Sequence, residues 1–361
     1  MNLNELRNEL SAVDRQLIDL IAERQRLVGE IGRSKQSSGA GTRDYAREKD
    51  VLDMARQQAE KLGLDPELAE NVLRQLIRSS LASQERDRVV SEGKGDGRSV
   101  LVIGGAGQMG RWFVDFFASQ GFAVAIADKH VDDGPGTFKN WTDAGIDYDV
   151  IVVAAPLGIS GRILAQLAVL QPKGLIFDIG SLKTPLLDGL EELRSAGCLI
   201  TSLHPMYGPD TRLLSGRHLI FVEVGCPEAT KAAKDLFSAT MVEQIDMGLD
   251  DHDRLIAYVL GLSHALNIAF FTALAESGET APKLAHMSST TFDAQLLVSK
   301  AVAQDNPRMY FEIQNLNKFG LHPLDALCEA SARIREVVAS GDEDGFVDLM
   351  QKGQDYIAMR G

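Results

Sequence analysis

Cysteine is scarce in this sequence, which has only three among 361 residues. Cys198, Cys226 and Cys328 lie far apart and form no C-x-x-C pair. This spacing provides neither a disulfide framework nor a cysteine zinc site, so we predict no bound metal.

An excess of basic residues is also lacking. Lysine and arginine total 37 against 51 aspartates and glutamates, which gives a formal net charge of −14. An acidic protein is disfavoured as a partner of nucleic acid or of anionic membranes. The first residues, MNLNE, lack the apolar core of a signal peptide, and we expect a cytoplasmic protein.

One stretch, residues 255–275, is long and apolar enough to resemble a membrane span. Ser263, His264 and Asn267 lie near its middle, where polar groups are costly in lipid without internal partners. A helix that is apolar all round can equally be buried in protein. We predict the central helix of a helical, dimeric domain and no membrane partner.

The most informative segment is SVLVIGGAGQMG, residues 99–110. Its four consecutive apolar residues predict a strand buried on both faces of a parallel sheet. The following G-x-G-x-x-G spacing suits a tight turn, a close approach of backbone to a pyrophosphate, and a helix packed closely on its strand. Phosphates would then bind free N–H groups at the N-terminus of that helix.

A second apolar run, residues 122–127, ends in Asp128. A carboxylate at this position can bind the ribose 2′-hydroxyl of a dinucleotide and would repel a 2′-phosphate. The sequence therefore predicts NAD, rather than NADP, as the cofactor. The predicted cofactor-binding residues are Gly105, Ala106, Gly107, Gln108, Met109, Gly110, Asp128 and Pro156.

Strand and helix patterns alternate after a Gly-rich linker at residues 93–98. Runs typical of buried strands occur near 149–155, 174–179, 199–203 and 218–224, with a helical pattern at 159–170. This order predicts a doubly wound α/β sheet of the Rossmann type at 99–248. Only helical patterns follow, at 249–361, where we expect an all-α domain.

Residues 1–92 predict three helices, the first over residues 3–36. Its apolar residues advance by alternating threes and fours, but Arg24 falls on this apolar seam. Glu48 has the equivalent place on the second helix, and Ser80 and Gln84 on the third. Because buried polar groups need partners, misfits on all three helices indicate a pocket with a polar lining.

Two predicted strand ends carry unusual residues: IGSLK at 179–183 and HPMYGPD at 204–210. Ligands of open α/β sheets bind at the carboxyl ends of strands. Beside a nicotinamide, His204 is a candidate base, because histidine can accept a hydroxyl proton near neutral pH while the adjacent carbon loses hydride. We expect its ionisation not far from about 6.5.

Residues 1–90 resemble the all-helical chorismate mutase domain. The similarity lies in Leu6-Arg7, in the D-x-x-L-x-x-L-x-x-E-R run ending at Arg24, in Lys35, in R-D-x-x-R-E at 43–48, and in Ser80 and Gln84. The resemblance implies carboxylate binding by Arg7, Arg24 and Arg47, donation to the ether oxygen by Lys35 and Gln84, binding of the ring hydroxyl by Glu48, and further substrate contacts from Asp44 and Ser80. It also implies that the first helix is exchanged between two chains, so that Arg7 serves the partner's pocket.

Residues 98–361 resemble prephenate dehydrogenase, and the whole chain resembles the fused chorismate mutase–prephenate dehydrogenases of tyrosine biosynthesis. The similarity lies in GGAGQMG at 104–110, S-x-K at 181–183, HPMYGPD at 204–210, HD at 252–253, and His264. It implies that His204 accepts the proton of the ring hydroxyl, that Ser181 orients His204, and that His264 helps to hold the substrate. It also implies a homodimer and feedback inhibition by tyrosine.

One position departs from this family. An arginine usually precedes an A-Q-D-P-like stretch on a C-terminal helix and binds a substrate carboxylate, whereas Lys300 precedes AQDNP here. Lysine is a point charge and lacks the bidentate fork of arginine. Lys300 is the predicted carboxylate ligand, with Arg308 and Lys318 as alternatives, and the choice between prephenate and arogenate stays open.

The expected function is therefore bifunctional: chorismate to prephenate, then NAD-dependent conversion of prephenate to 4-hydroxyphenylpyruvate. Two alternatives remain. Residues 1–92 could be only a dimerising module that senses a ligand, although a pure coiled coil has no use for Glu48 and Gln84 on its seam. The remainder could be a generic Rossmann 3-hydroxyacid dehydrogenase, which would need a catalytic lysine in the helical domain and would not require His204 or Ser181.

Overall fold

The computed structural model describes residues 2–37 and 41–359, and it begins with three helices. They are α1 (Leu3–Ser37), α2 (Tyr45–Lys61) and α3 (Pro66–Ser91). The carboxylate of Asp44 caps α2, and that of Asp65 caps α3, whose first residue is a proline. The predicted long first helix and its two successors are confirmed.

The N-terminal half of α1 has no covering within the described chain. Its seam residues are between 51% and 68% exposed, namely Leu3, Leu6, Leu10, Val13, Leu17 and Leu20. The C-terminal half of α1 instead packs against α3, where Ser80, Leu81 and Glu85 are buried. An apolar stripe of this length in water indicates a surface that another element covers.

The central region is a mostly parallel sheet. Its strands in the described residues are β1 (Ser99–Ile103), β2 (Ala123–Ala127), β3 (Thr137–Phe138), β4 (Val150–Val153), β5 (Leu175–Asp178), β6 (Ile200–Pro205), β7 (His218–Glu223) and β8 (Glu243–Gly248). Their order is β3-β2-β1-β4-β5-β6-β7-β8, and only β6 and β7 pair antiparallel. The first six strands have the Rossmann order, with β1 beside β4 at the point where the order reverses.

Helices cover both faces of this sheet. They are α4 (Gln108–Ser119), α5 (Leu157–Leu170), α6 (Leu187–Ser195) and α7 (Pro227–Leu236). Successive side chains of β1 enter opposite cores: Val100 packs with Phe113 on one face, and Leu101 packs with Leu164 on the other. The predicted doubly wound α/β fold is confirmed.

The glycine-rich segment at 93–98 packs tightly against the sheet domain. The Gly95 N–H donates to the carbonyl of Gln120 at 2.9 Å. A Cβ added at Gly93 would lie 2.5 Å from the Gln120 carbonyl oxygen, and one at Gly95 would lie 2.1 Å from backbone of Gly121. These glycines therefore permit a close approach of two backbones, which fixes α3 beside the turn that follows α4.

The C-terminal region is helical, as predicted. Its elements are α8 (Leu249–Ile256), a π-helical turn (Ala257–Leu262), α9 (Ser263–Glu276), α10 (Ala281–His286), α11 (Thr290–Gln304), α12 (Pro307–Asn315), α13 (Leu321–Ser340) and α14 (Glu343–Ala358). Residues 249–276 form one continuous helix that is long and apolar enough to cross a membrane, by composition alone. Only 22% of its most apolar window is buried within the described chain.

Candidate active sites

The loop between β1 and α4 admits only glycine at its close contacts. Gly104 has φ +88°, and a Cβ at Gly110 would lie 2.1 Å from the Gly104 carbonyl oxygen. A Cβ at Gly105 would lie 2.7 Å from the Ile126 side chain. Within the described residues no side chain caps the N-terminus of α4 at Gly107, so backbone N–H groups there can bind an anion.

Asp128 lies beside this loop. One carboxylate oxygen accepts from the Ala106 N–H at 3.3 Å, and the other accepts from the His130 N–H at 2.9 Å. Pro156 precedes α5 at the end of β4, the strand next to β1. The glycine loop, Asp128 and Pro156 thus lie together at the carboxyl edge of the sheet, where a dinucleotide fits the space left by the glycines.

Replacement of Asp128 by serine is expected to raise the KM for NAD and to raise the NADP-to-NAD ratio of kcat/KM by about tenfold or more, because a hydroxyl acceptor and a repulsive charge are lost together. Steady-state kinetics with each cofactor measures this ratio. Asp132→Ser, an exposed carboxylate four residues further on, is the matched control. An unchanged preference in Asp128→Ser would place the ribose elsewhere.

A second site is built around His204, at the end of β6. Its Nδ1 lies 2.9 Å from Nε2 of His252, and Nδ1 of His252 lies 2.7 Å from Oδ1 of Asp253. All three side chains are buried. We call His204, His252 and Asp253 the histidine site.

The carboxylate fixes the proton positions in the histidine site. Asp253 accepts from Nδ1–H of His252, so Nε2 of neutral His252 carries no proton and accepts from Nδ1–H of His204. The Nε2 atom of His204 is then the unprotonated nitrogen. The arrangement leaves His204 ready to accept a proton, in the way that a carboxylate orients the histidine of a hydrolase triad.

Several neighbouring groups hold the histidine site in place. The backbone N–H groups of Lys183 and Thr184 donate to the Asp253 carboxylate at 2.8 and 2.6 Å. The buried Asn317 side chain donates to the Asp253 carbonyl at 2.8 Å, which ties α8 to the segment after α12. The histidine site is therefore anchored by both the sheet and the C-terminal helices.

Lys183 is fully buried beneath the histidine site. Its Nζ donates to Oδ1 of Asp178 and to the carbonyls of Gly180 and Leu203, each at 2.8 Å. These three acceptors match the three N–H bonds of an ammonium group. Burial lowers the pKa of Lys183, and the adjacent Asp178 opposes this shift. Because Leu203 directly precedes His204, the ion pair fixes the end of β6.

The ring of His204 hydrogen-bonds to His252, a partner that the sequence analysis did not assign. The Ser181 side chain forms no hydrogen bond with any residue that the structure describes, and its role in orienting His204 stays a prediction. Ser181 lies half-buried two residues before Lys183. From the sequence, the HD pair at 252–253 had no predicted role beyond its similarity to prephenate dehydrogenase. The i, i+4 spacing of His252 and Ile256, which places both on the buried face of α8, could have indicated that His252 is buried.

Burial determines the protonation states of the histidine site. It lowers the pKa of His204 well below its ordinary value, and the nearby His252 and Lys183 act in the same direction. Burial also lowers the pKa of His252, against the opposing effect of Asp253. For Asp253, burial raises the pKa, but hydrogen bonds from His252, Thr184 and backbone amides together lower it. Two neutral rings and one carboxylate follow at neutral pH.

The helical domain brings several of the predicted polar residues together. Arg24 Nη1 donates to Ser80 Oγ at 2.7 Å and to the Leu76 carbonyl at 3.3 Å. Gln84 Nε2 donates to the Val28 carbonyl at 3.1 Å, so it also lies between α1 and α3. Burial lowers the pKa of Arg24, which still stays charged because arginine titrates far above neutrality.

Lys35 and Glu48 lie where the chain passes from α1 to α2. Lys35 Nζ donates to the Thr42 carbonyl at 3.1 Å. The Glu48 carboxylate accepts two bonds from Arg43, at 2.9 and 3.0 Å. We call the set Arg24, Lys35, Glu48, Ser80 and Gln84, which we expect to line one pocket, the arginine pocket.

The side chains of three other predicted substrate ligands, Arg7, Asp44 and Arg47, lie outside the arginine pocket. Arg7 is exposed and precedes Arg24 by about 25 Å of helix. Arg47 is exposed on the first turn of α2, and the Asp44 carboxylate is used as the cap of that helix, accepting the Arg47 N–H at 3.0 Å. The role of Arg7 in the pocket of a second copy stays a prediction.

His264 is the second residue of α9, which directly follows the π-helical turn. Its ring centroid lies 4.2 Å from that of Tyr310, and its Nδ1 is buried without a partner among the described atoms. Burial lowers the pKa of His264. The Gly261 carbonyl in the π-helical turn accepts from Gln314 at 2.8 Å. Such turns occur often at functional sites because they displace backbone carbonyls and side chains.

The three candidates for the substrate carboxylate differ in their partners. Lys318 pairs with Asp250 at 2.5 Å. Lys300, exposed on α11, and Arg308, exposed at the start of α12, form no ion pair with any residue in 2–37 or 41–359. Their ion pairs therefore do not distinguish Lys300 from Arg308, and Lys300 stays the sequence-based prediction.

Three family models match successive parts of the chain. "Chorismate mutase type II" matches residues 6–85, "Prephenate dehydrogenase, nucleotide-binding domain" matches 125–237, and "Prephenate dehydrogenase, dimerization domain" matches 249–352. The arginine pocket falls in the first range and His204 in the second. His252, Asp253 and His264 fall in the third.

Two curated relatives match along nearly the whole chain. The chain is 29% identical to the T-protein of Enterobacter agglomerans over 346 residues, 96% of this chain and 90% of that protein. It is 24% identical to the T-protein of Haemophilus influenzae, over 98% of this chain and 92% of that protein. A prephenate dehydrogenase structure from Aquifex aeolicus, in complex with hydroxyphenyl propionate and NAD+, has a TM-score of 0.57 and 17% identity over 74% of this chain and all of that one. The sheet and C-terminal helices therefore share that fold.

Proposed function

This chain belongs to the bifunctional chorismate mutase–prephenate dehydrogenases, and we propose that its two reactions take place in the arginine pocket and at the histidine site. It rearranges chorismate to prephenate and converts prephenate to 4-hydroxyphenylpyruvate with NAD. The observation that carries the proposal is the buried His204–His252–Asp253 chain, which leaves one unprotonated nitrogen beside the cofactor edge of the sheet.

The arginine pocket suits a reaction that needs no acid or base. A pericyclic rearrangement is accelerated by holding the compact conformer of the substrate and by stabilising charge on the ether oxygen as that bond breaks. Arg24, fixed by Ser80, would bind a carboxylate. Gln84 and Lys35 carry N–H donors that can turn from backbone carbonyls to the ether oxygen. Glu48 would accept the ring hydroxyl.

At the histidine site, His204 Nε2 would accept the proton of the ring hydroxyl while the carbon that bears it loses hydride. NAD, held at the glycine loop, would supply the hydride acceptor. The C–O bond would become a carbonyl, and the bond to the ring carboxylate would then break, so that its electron pair makes the ring aromatic as carbon dioxide leaves. The former carbonyl oxygen would take back a proton, which protonated His204 can return, to give the phenol. His252 and Asp253 keep His204 in the accepting tautomer and stabilise its charged form.

The acid limb of the dehydrogenase pH profile is expected to lie below about 6.5, the ordinary histidine value. Burial lowers the pKa of His204, so the ring stays neutral and active to lower pH than an exposed histidine would. The sequence alone predicts an ionisation not far from that value, and burial moves the expected acid limb below it. The pH dependence of kcat/KM for prephenate measures it, and an acid limb above 6.5 would contradict a buried base.

Substrate selection would involve the C-terminal helices. Lys300 and His264 are proposed to contact substrate, since Lys300 is an unpaired cation and the buried His264 Nδ1 has no partner among the described residues. A single ammonium would bind the carboxylate less directionally than a guanidinium. The prephenate dehydrogenase models that match residues 125–237 and 249–352 support prephenate as the substrate.

A homodimer is proposed from the uncovered apolar surfaces. Leu255, Val259 and Leu266 are 42%, 53% and 46% exposed on the long helix at 249–276, within the range matched by the dimerisation domain. The exposed seam of α1 is a second such surface. Pairing would also bring Arg7 of one copy to the arginine pocket of the other. Inhibition by tyrosine and a cytoplasmic location stay proposals from the resemblance and the relatives.

Incubating the purified protein with chorismate, with and without NAD, tests the proposed function. Prephenate should accumulate without NAD, and 4-hydroxyphenylpyruvate, carbon dioxide and NADH should form with it. If chorismate is unchanged while added prephenate is oxidised, residues 1–92 are only a dimerising or sensing module. If neither compound reacts, the assignment fails.

A further inference from the structure

The loop between β6 and β7, residues 206–217, begins directly after His204 and Pro205. Side chains from outside the sheet hold this loop in three places. Arg43 Nη1 donates to Ser215 Oγ at 2.7 Å, and Trp112 Nε1 donates to the Thr211 carbonyl at 3.1 Å. We call residues 206–217 the His204 loop. The position of the His204 loop therefore depends on side chains that are distant from it in sequence.

The third contact comes from Glu85 of α3. Its carboxylate is 4% exposed and accepts the N–H of Leu214 at 2.7 Å and the N–H of Met241 at 2.5 Å. Met241 lies just before β8. Pairing of Pro205 with Leu219, and of Leu219 with Gln244, places the end of β6 and the beginning of β8 at the same edge of the sheet. Glu85 thus joins the His204 loop to the segment that leads into β8.

The contact between α3 and the sheet domain is concentrated at few places. A groove of about 910 Å³ separates much of α3 from α4, and its walls include Arg86, Trp112 and Leu214. Val89 packs into the sheet core further along α3. Beside an open groove, a buried carboxylate with two backbone donors is a strong and directional link, because charge-assisted hydrogen bonds are stronger than neutral ones.

The same turn of α3 serves both sites. Gln84 belongs to the arginine pocket, and the next residue, Glu85, reaches the His204 loop. Arg43 likewise binds Glu48 of the arginine pocket and Ser215 of the His204 loop. Residues of the helical N-terminal domain therefore hold the loop that follows the proposed base.

We propose that Glu85 is a positioning residue for prephenate oxidation: it holds the His204 loop and the start of β8 so that His204 keeps its place at the cofactor edge. The inference rests on the proposed function of His204. Glu85 touches no substrate in this account. Its effect passes through backbone N–H groups, so its loss should slow oxidation without affecting chemistry in the arginine pocket.

The experiment compares Glu85→Gln and Glu85→Ala with Arg86→Gln, a change at an exposed neighbour on the wall of the same groove. Mutase and dehydrogenase activities are measured separately on each full-length preparation. Glutamine keeps one acceptor for the two N–H donors and alanine keeps none. We expect kcat for added prephenate to fall about 10- to 100-fold in Glu85→Ala, less in Glu85→Gln, and not in Arg86→Gln.

The KM for NAD and the mutase rate should stay within about twofold in all three variants, since the glycine loop and the arginine pocket keep their contacts. A merely structural role would lower both activities together, in step with the thermal midpoint, and would overturn the proposal. Unchanged oxidation in Glu85→Ala would also overturn it. Absence of dehydrogenase activity in the wild type would instead contradict the proposed function itself.

Discussion

Replacing His204 with asparagine is expected to lower kcat for prephenate oxidation by about 10²- to 10⁴-fold, the usual contribution of a general base. Asparagine has a similar size and can still donate from its amide toward His252, so the packing around β6 persists. It cannot accept the hydroxyl proton. The loss should therefore appear in kcat rather than in the KM for prephenate.

Chorismate rearrangement should be unaffected in His204→Asn, because the arginine pocket and the histidine site share no residue. The matched control is His218→Asn, an exposed histidine at the start of β7 that pairs with Glu243; it should retain full oxidation. A near-wild-type kcat in His204→Asn would show that His204 is not the base. The next candidate would be His264, whose buried Nδ1 has no partner among the described residues.

Replacing Arg24 with alanine is expected to lower the chorismate mutase rate by about 10²- to 10³-fold or more, the usual cost of losing one preorganised donor from an active site. Arg24 brings a half-buried guanidinium to the interface of α1 and α3 and is fixed by Ser80 and by the Leu76 carbonyl. No other cation in the arginine pocket has this position, because Lys35 lies eleven residues further along α1.

Arg26→Ala is the control for this prediction. Arg26 is exposed on the same helix and pairs with Glu23 and Glu30, so its loss should change neither activity. Oxidation of added prephenate should persist in Arg24→Ala. Mutase turnover that survives in Arg24→Ala at the wild-type rate would show that the pocket is elsewhere.

The sequence predicted the strands that are buried on both faces of the sheet. Continuous apolar runs identified β1, β4, β5 and β7, since each is covered by helices on both faces. Strand β8 was missed because it lies at the sheet edge and reads EQIDMG, with polar residues where a buried strand has apolar ones. Strand β3 has two residues, too few for a pattern.

The functional residues divide in a similar way. Arg24, Ser80 and Gln84 could be found because each interrupts an apolar seam, and His204 because it follows a buried strand. The partner of His204 could not, because His252 is 48 residues away and reaches it only through the packing of α8 on the sheet. Glu85 lacked any local signal, since its acceptor role depends on two backbone N–H groups from distant segments.

We expect prephenate formed in the arginine pocket to reach the histidine site through solution. The most direct measurement is NADH formation from chorismate and NAD by Arg24→Ala, by His204→Asn, and by an equal mixture of the two. We predict little NADH from either variant alone and, from the mixture, NADH formation after a lag in which prephenate accumulates. A mixture that stays as inactive as its components, although each keeps its single remaining activity, would contradict the account.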